Sequence, residues 1–470
     1  MSASAIDIPR RRIWQSLVEA IRGTQQDFTQ GSISRAIFLL ATPMVLEMSM
    51  ESLFAIVDIF WVTRLGASAV ATVGFTESML ALIYSVAFGV SLSTTAMVAR
   101  RIGEKDSRGA ATAAMQSILL GAVLASAIAV PGVWFASDLL RLMGGSPDLV
   151  AAGHRYTAFA FGGTIAVMLL FLNNAIFRGA GDPSIAMRVL WFANIINLAL
   201  DPCFIFGLGP FPALGVTGAA VATLIGRSCG VLYQFWILAR GSSRIAITRA
   251  DLRIVPPVIA SLIRVSATGV LQFAIAQTSW LVLVRIISVF GSVAVAGCTI
   301  GIRIFIFAIL PSWGLSGAAA TMVGQNLGAQ KPERAQRAVY LTAWYNMAIL
   351  GAVAVVFISA PQAIVALFTS NPAVASVAVS CLRIVALGNL AYAFGMVIVQ
   401  AFNGAGDTVT PTLINIIGFW LCEIPLAWIL AFLAHLQVRG VFASIPISEL
   451  LVTLMGLAMF ARGRWKKRKI

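Results

Sequence analysis

The hexapeptide FRGAGD at residues 177–182 returns as FNGAGD at 402–407, an offset of 225 residues. The same offset pairs Gly66 with Gly291, Ala69-Val70-Ala71 with Ala294-Val295-Ala296, Gly89 with Gly314, and Gly103 with Gly328. Without a gap, the register holds from about residue 46 to 182. Low-complexity Ala/Val/Gly sequence would align with itself anywhere, but two Gly-Ala-Gly-Asp turns at equivalent places mark a duplication. The glycines suit a tight turn, and each aspartate is placed to cap the helix that follows.

What is duplicated is apolar. Of 470 residues, 59% are hydrophobic and 11% charged, with mean hydropathy +0.91, against about a quarter charged in an ordinary soluble domain. So few charges would leave a soluble fold exposing wide apolar patches, which nearly excludes a globular enzyme. A helical span needs about 20 apolar residues, and runs such as 110–136 and 338–368 are too long for barrel strands. Twelve runs, the first at 37–62 and the last at 440–461, give six per copy. The expected fold is an all-α polytopic membrane protein with two pseudo-symmetric six-helix lobes. Residues 1–34 form an N-terminal arm, 35–238 the N-lobe, 239–257 a charged linker, 258–461 the C-lobe and 462–470 a basic tail.

Twelve spans put both termini on one side. Of the 33 Lys and Arg, 24 fall on that side and three (Arg64, Arg141, Arg439) on the other. The positive-inside rule makes the terminal side cytoplasmic, so the net charge of +15 calls for no nucleic-acid partner. Ile13, Leu17 and Ile21, beside Trp14, predict a short amphipathic helix at the inner interface. The five cysteines include no close pair and the two histidines no cluster, so neither a disulfide framework nor a metal centre is expected. No nucleotide-binding or catalytic motif appears.

Parallel repeats of this kind are a transporter architecture, and acids inside the membrane point to the site. A carboxylate in hydrocarbon must face a cavity, find a partner or take up a proton. Seven lie within the runs: Glu47, Glu51, Asp58, Glu77, Asp201, Glu423 and Glu449. On a helix, Glu51 sits about 40° and Asp58 about 20° from Glu47, one stripe along the first span. Asn194, Asn197 and Asp201 share a face of the fifth. Asp58 and Asp201, both in outer thirds, are placed to meet inside the N-lobe with Asn197 one turn below, as a site for H⁺ or Na⁺. Pro43 is placed to bend the first span. The C-terminal copy lacks these groups, with Gln272 opposite Glu47 and Leu283 opposite Asp58. It offers Gln272, Gln277, Trp280, Arg285 and Arg303, with Glu423 as a second coupling or substrate candidate. Glu77 and Arg303, nearly equivalent in the two copies, are placed to bridge the central cleft. Glu449 ranks lowest.

Pro43 through Asp58 to Arg64-Leu65-Gly66, the Gly103 loop, the 177–182 turn and the duplicated half together resemble the multidrug and toxic compound extrusion (MATE) family. The likeness spans about 35–465 and is greatest to the bacterial branch related to the DNA-damage-inducible transporters. It implies a secondary antiporter, with no cofactor beyond a coupling H⁺ or Na⁺, that expels cationic or amphipathic small molecules across a bacterial inner membrane. It implies Asp58, Asn197 and Asp201 as the cation site, Thr223 as a further oxygen ligand, and Pro43 as the kinking proline. A monomer in lipid is expected. Another branch carries an essential acid in the seventh span, where this chain has Gln272 and Gln277. Glu47, Glu51 and Glu423 add acidity suited to a cationic substrate. The alternative is a lipid-linked precursor flippase of the same superfamily, whose cleft should be basic.

Overall fold

The computed structural model describes residues 10–470 apart from 25, 242, 243 and 469. Among them the regular structure is entirely helical: α1 Arg10–Arg22, α2 Ile33–Thr63, α3 Ala67–Gly103, α4 Ser107–Trp134, α5 Ala136–Leu142, α6 Pro147–Gly162, α7 Thr164–Ala180, α8 Pro183–Phe206, α9 Val216–Arg240, α10 Pro256–Ser288, α11 Ser292–Gly328, α12 Pro332–Ser359, α13 Pro361–Val365, α14 Pro372–Ala386 and α15 Asn389–Gly404. Two more helices follow, Val409–Leu433 and Val438–Ala461. Among the described residues, ten helices are long and apolar enough to cross a membrane, or eleven if α14 and α15 form one span bent by 59°.

Three details depart from a plain reading of the apolar runs. The stretch expected at 152–176 is two helices, α6 and α7, meeting at Gly163. α2 stays helical through Pro43 without interruption, so the expected bend does not break it. Val409–Leu433 contains π-helical turns at Ile416–Glu423 and Ile429–Leu433, where the wider i→i+5 winding shifts side-chain direction. α1 fits the amphipathic helix expected there, with Ala20 buried and Trp14 exposed.

The repeated Gly-Ala-Gly-Asp turns fold as their glycines require. Gly181 and Gly406 take φ of +85° and +78°, a conformation that favours glycine. The aspartates diverge. Asp407 accepts from the Thr410 amide and hydroxyl, whereas Asp182 caps no amide and accepts from the Ser184 hydroxyl at 2.7 Å. Burial pushes the Asp182 carboxyl above its ordinary value, against the Ser184 bond and the charges of Arg188 and Arg244.

The halves meet through glycines that the 225-residue register pairs. A Cβ at Gly89 would collide with the Val270 backbone, and one at Gly314 would lie 2.5 Å from the Met44 carbonyl oxygen and 2.8 Å from the Val45 nitrogen. Gly103 presses on the Gln325 carbonyl as Gly328 does on that of Arg100. Each contact is its partner's image under the repeat, as a pseudo-twofold seam demands. Side chains seal it further: Gln325 Nε2 donates to the Gly179 carbonyl at 3.0 Å and Thr321 Oγ1 to that of Arg178 at 3.1 Å. Ser93 and Ser266 hydroxyls lie 2.6 Å apart. The seam occupies the end of the molecule that carries the Gly-Ala-Gly-Asp turns. At the other end, a Cβ at Gly66, Gly74 or Gly291 would meet nothing within 4 Å.

Candidate functional site

Between the halves lies a cavity of about 200 Å³, walled by Glu47, Glu51, Asn174 and Arg227 on one side and by Phe273, Trp313 and Asn403 on the other. Its acids come from the α2 stripe. Glu47 is 1% exposed; Asn174 Nδ2 donates to it at 3.1 Å, and Arg178 stands 3.8 Å away. Gln234 Nε2 fixes the Asn174 amide at 2.7 Å. One turn on, Glu51 accepts from Arg227 Nη2 at 3.3 Å and from Asn194 Nδ2 at 3.4 Å. A buried charge is tolerated when paired and hydrogen-bonded, and both cavity acids have such partners.

Asp201, Asn197, Thr223 and Asp58 form a second group that does not line this cavity. Asp201 is wholly buried. With the Asn197 amide oriented by its partners, its oxygen accepts from the Thr223 amide and hydroxyl at 2.8 and 2.9 Å, and its nitrogen donates to Asp201 Oδ2 at 3.0 Å. Asp201 Oδ1 has no partner among the described residues. Asp58, half-buried on α2, is near enough for its charge to bear on Asp201. Tyr156 lies within electrostatic reach of Asp58, Glu77 and Asp201. Arg227 links the two groups, since it pairs with Glu51 and also feels Asp58.

Glu77 and Arg303 are both exposed and feel each other's charge, but no ion pair within 4.0 Å joins them among the described residues. The expected bridge is therefore open, in keeping with the unsealed end where both lie. In the C-terminal half, Gln272 is buried, with its Oε1 unpartnered. Gln277, Trp280, Glu423 and Glu449 face a separate cavity of about 340 Å³.

Several residues of these networks were not singled out in the sequence. Arg227, Asn174, Arg178 and Gln234 hold the cavity acids, and Tyr156 is within electrostatic reach of the Asp58 group. An arginine in mid-span is as expensive as an acid, so Arg227 carried a usable signal; the amides and the tyrosine did not. No group of three or more His, Cys, Asp or Glu placed to hold a metal occurs among the described residues.

The MatE family pattern matches residues 43–203 and 270–429, once in each copy of the repeat. The probable multidrug resistance protein NorM of Thermotoga maritima is 25% identical over 93% of this chain and 94% of its own length. The probable multidrug resistance protein YoeA of Bacillus subtilis is 24% identical over 95% and 97%. A crystal structure of MATE in complex with MaL6 superposes with a TM-score of 0.87 at 26% identity, covering 96% of this chain and 98% of that one.

Proposed function

The chain belongs to the MatE family of multi-pass membrane transporters, and from that membership we propose that it is a secondary antiporter. In this reading it expels organic cations or amphipathic drugs in exchange for inward H⁺ or Na⁺. It is a transporter related to multidrug efflux proteins and not an enzyme. The observation that carries the antiport reading is Asp201: a fully buried carboxylate with one oxygen unpartnered, beside the charge of Asp58. Such a group is a place for a small cation to enter and leave.

The coupling scheme uses residues of one half. Outside, the cation settles on Asp58 and Asp201. Neutralising Asp58 changes the field at Arg227, and with it the hold of Arg227 on Glu51 in the cavity wall. A proton suits the site without rearrangement. Na⁺ would need the Asn197 amide to rotate, because it now turns its NH₂ toward Asp201; hard cations take oxygen donors.

We read α2 as the twelfth span, at 31 residues, with both termini cytoplasmic by the distribution of basic residues. The seam then closes the cytoplasmic side, and an outward-open state follows, in a bacterial inner membrane. The flippase alternative finds no support, since the cavity's two arginines are both engaged by acids.

The test is ethidium efflux from reconstituted vesicles under separately imposed H⁺ and Na⁺ gradients. Export driven by one gradient in the wild type and lost in D58N and D201N is the expected result. Gradient-driven export that persists unchanged in both variants would remove the coupling scheme.

A further inference from the structure

The two cavities differ in charge balance. In the central one, Glu47 and Glu51 each have an arginine within 4 Å, so no net negative charge is left over. The cavity of the C-terminal half is lined by Glu423 from Val409–Leu433 and Glu449 from Val438–Ala461, and by no lysine or arginine among the described residues. Glu423 is 6% exposed, and the two carboxylates are close enough for the charge of one to bear on the other. Neither has a hydrogen bond or ion pair among the described residues. Two further acceptors on the same wall are buried and unsatisfied, Ser279 Oγ and Asn389 Oδ1, in residues 2% and 0% exposed. Buried polar atoms are ordinarily paired, and four unpaired groups around one cavity of about 340 Å³ mark a place built for something else to fill.

The remaining walls say what. Trp280, Trp313 and Tyr392 line the cavity, and aromatic faces attract desolvated organic cations. We propose that this cavity binds organic dications, with Glu423 and Glu449 each meeting one positive charge and the aromatic rings holding the apolar body between them. A monocation would leave one carboxylate uncompensated in a medium where that is costly. The partition toward the central cavity is thin. Trp313 and Leu310 line both spaces, and Trp313 Nε1 donates to the Tyr392 hydroxyl at 3.4 Å. A ligand passes between them by displacing that indole. The proposal rests on the exporter reading above and assigns substrate capture to the half that does not hold Asp58 and Asp201.

The experiment uses the full-length protein in detergent, titrated with the fluorescent dication DAPI and the monocation ethidium, alongside ethidium efflux from vesicles. E423Q and E449Q should each weaken DAPI binding by about tenfold or more, and ethidium binding by less. Both variants should fold as the wild type does without ligand, because glutamine keeps the size and shape of the side chain it replaces. Trp280→Leu, which leaves the carboxylates in place, should weaken DAPI binding by a smaller factor. DAPI binding equal in the wild type and in both glutamine variants overturns the site while leaving export intact. A wild type that exports no cation under any gradient overturns the exporter reading, and this proposal with it.

Discussion

Arg227 Nη2 lies 3.3 Å from Glu51 Oε1 on the wall of the central cavity, and the same guanidinium lies within electrostatic reach of Asp58. One side chain therefore touches the cavity and senses the group proposed to load the coupling ion. Its 5.9 Å approach to the Phe54 ring holds it against α2, the helix that carries both acids.

Arg227→Met removes the partner of a largely buried carboxylate. Breaking such a pair costs about 3–5 kcal/mol; with the Glu51 side chain 28% exposed, the lower end, about 3 kcal/mol, is expected. The thermal midpoint in detergent should fall accordingly. Adding Glu51→Met should return most of that stability, since no charge is then stranded, while gradient-driven efflux stays lost. A double variant that recovers both would show that the pair serves packing alone.

Asn197→Leu keeps the bulk of the side chain and deletes the only donor to Asp201 Oδ2 among the described residues. A hydrogen bond to a charged group is worth about 1.5–3 kcal/mol, so efflux under a fixed gradient should drop by about tenfold or more. Thr223→Val acts on Asp201 only through the Asn197 amide, whose orientation Thr223 also holds by its backbone nitrogen. A loss of about threefold, within the range for one neutral hydrogen bond, is expected. Equal losses in initial-rate measurements would mean that Thr223 contacts the ion itself.

Much of this was legible in the chain, for identifiable reasons. The 225-residue register names Gly89, Gly314, Gly103 and Gly328, and they line the seam because only glycine lets two backbones come so close. The acidic stripe of α2 was readable because burying charge in lipid is expensive, so Glu47 and Glu51 had to face inward. Neutral partners carry no such penalty, and Asn174 and Gln234 stayed hidden among dozens of residues with equal claims. Glu449 ranked low because nothing in one dimension brings it beside Glu423. Glu423 closes the π-helical turn Ile416–Glu423, and the charge of Glu449 on the next helix bears on it. Pro43 was legible as a proline inside a span, and it lies inside the unbroken helix α2.

Gly314→Val tests the seam. The new side chain would meet the Met44 and Val45 backbone, which has no rotamer to move, so about 1–3 kcal/mol of destabilisation is expected. The closed end should also open, and a cysteine substituted for Ala320, which lines the central cavity, should react faster with a water-soluble maleimide. Gly74→Ala is the control. Nothing lies within 4 Å of its Cβ, so the helix should gain about 0.5–1 kcal/mol. Matching effects of the two variants on unfolding would contradict the close approach at Gly314.

Asp27 organises a strap across the sealed end. It accepts from the Thr29 amide and hydroxyl at 2.8 and 2.7 Å, while Lys331 and Arg334 donate to the carbonyls of Thr29 and Gly31. Phe28, 1% exposed, packs in one core cluster with Leu315 and Met322 of the C-terminal half and lies beside Gly181 of the other. Burial raises the Asp27 pKa, but the Thr29 hydrogen bonds and the charges of Lys105 and Lys331 outweigh it, leaving the carboxyl below its ordinary value. A lowered pKa in the folded state means that the carboxylate stabilises the strap above the unfolded-state value. That contribution is lost as pH falls through the folded one. Amide exchange in residues 26–31, corrected for intrinsic rates, should therefore be slow at neutral pH and rise only below about pH 4. Asp27→Asn should show the faster exchange already at pH 7 and lose the acid step. An acid step of unchanged size in that variant would assign the titration to another group and leave the strap held by Lys331, Arg334 and Phe28 alone.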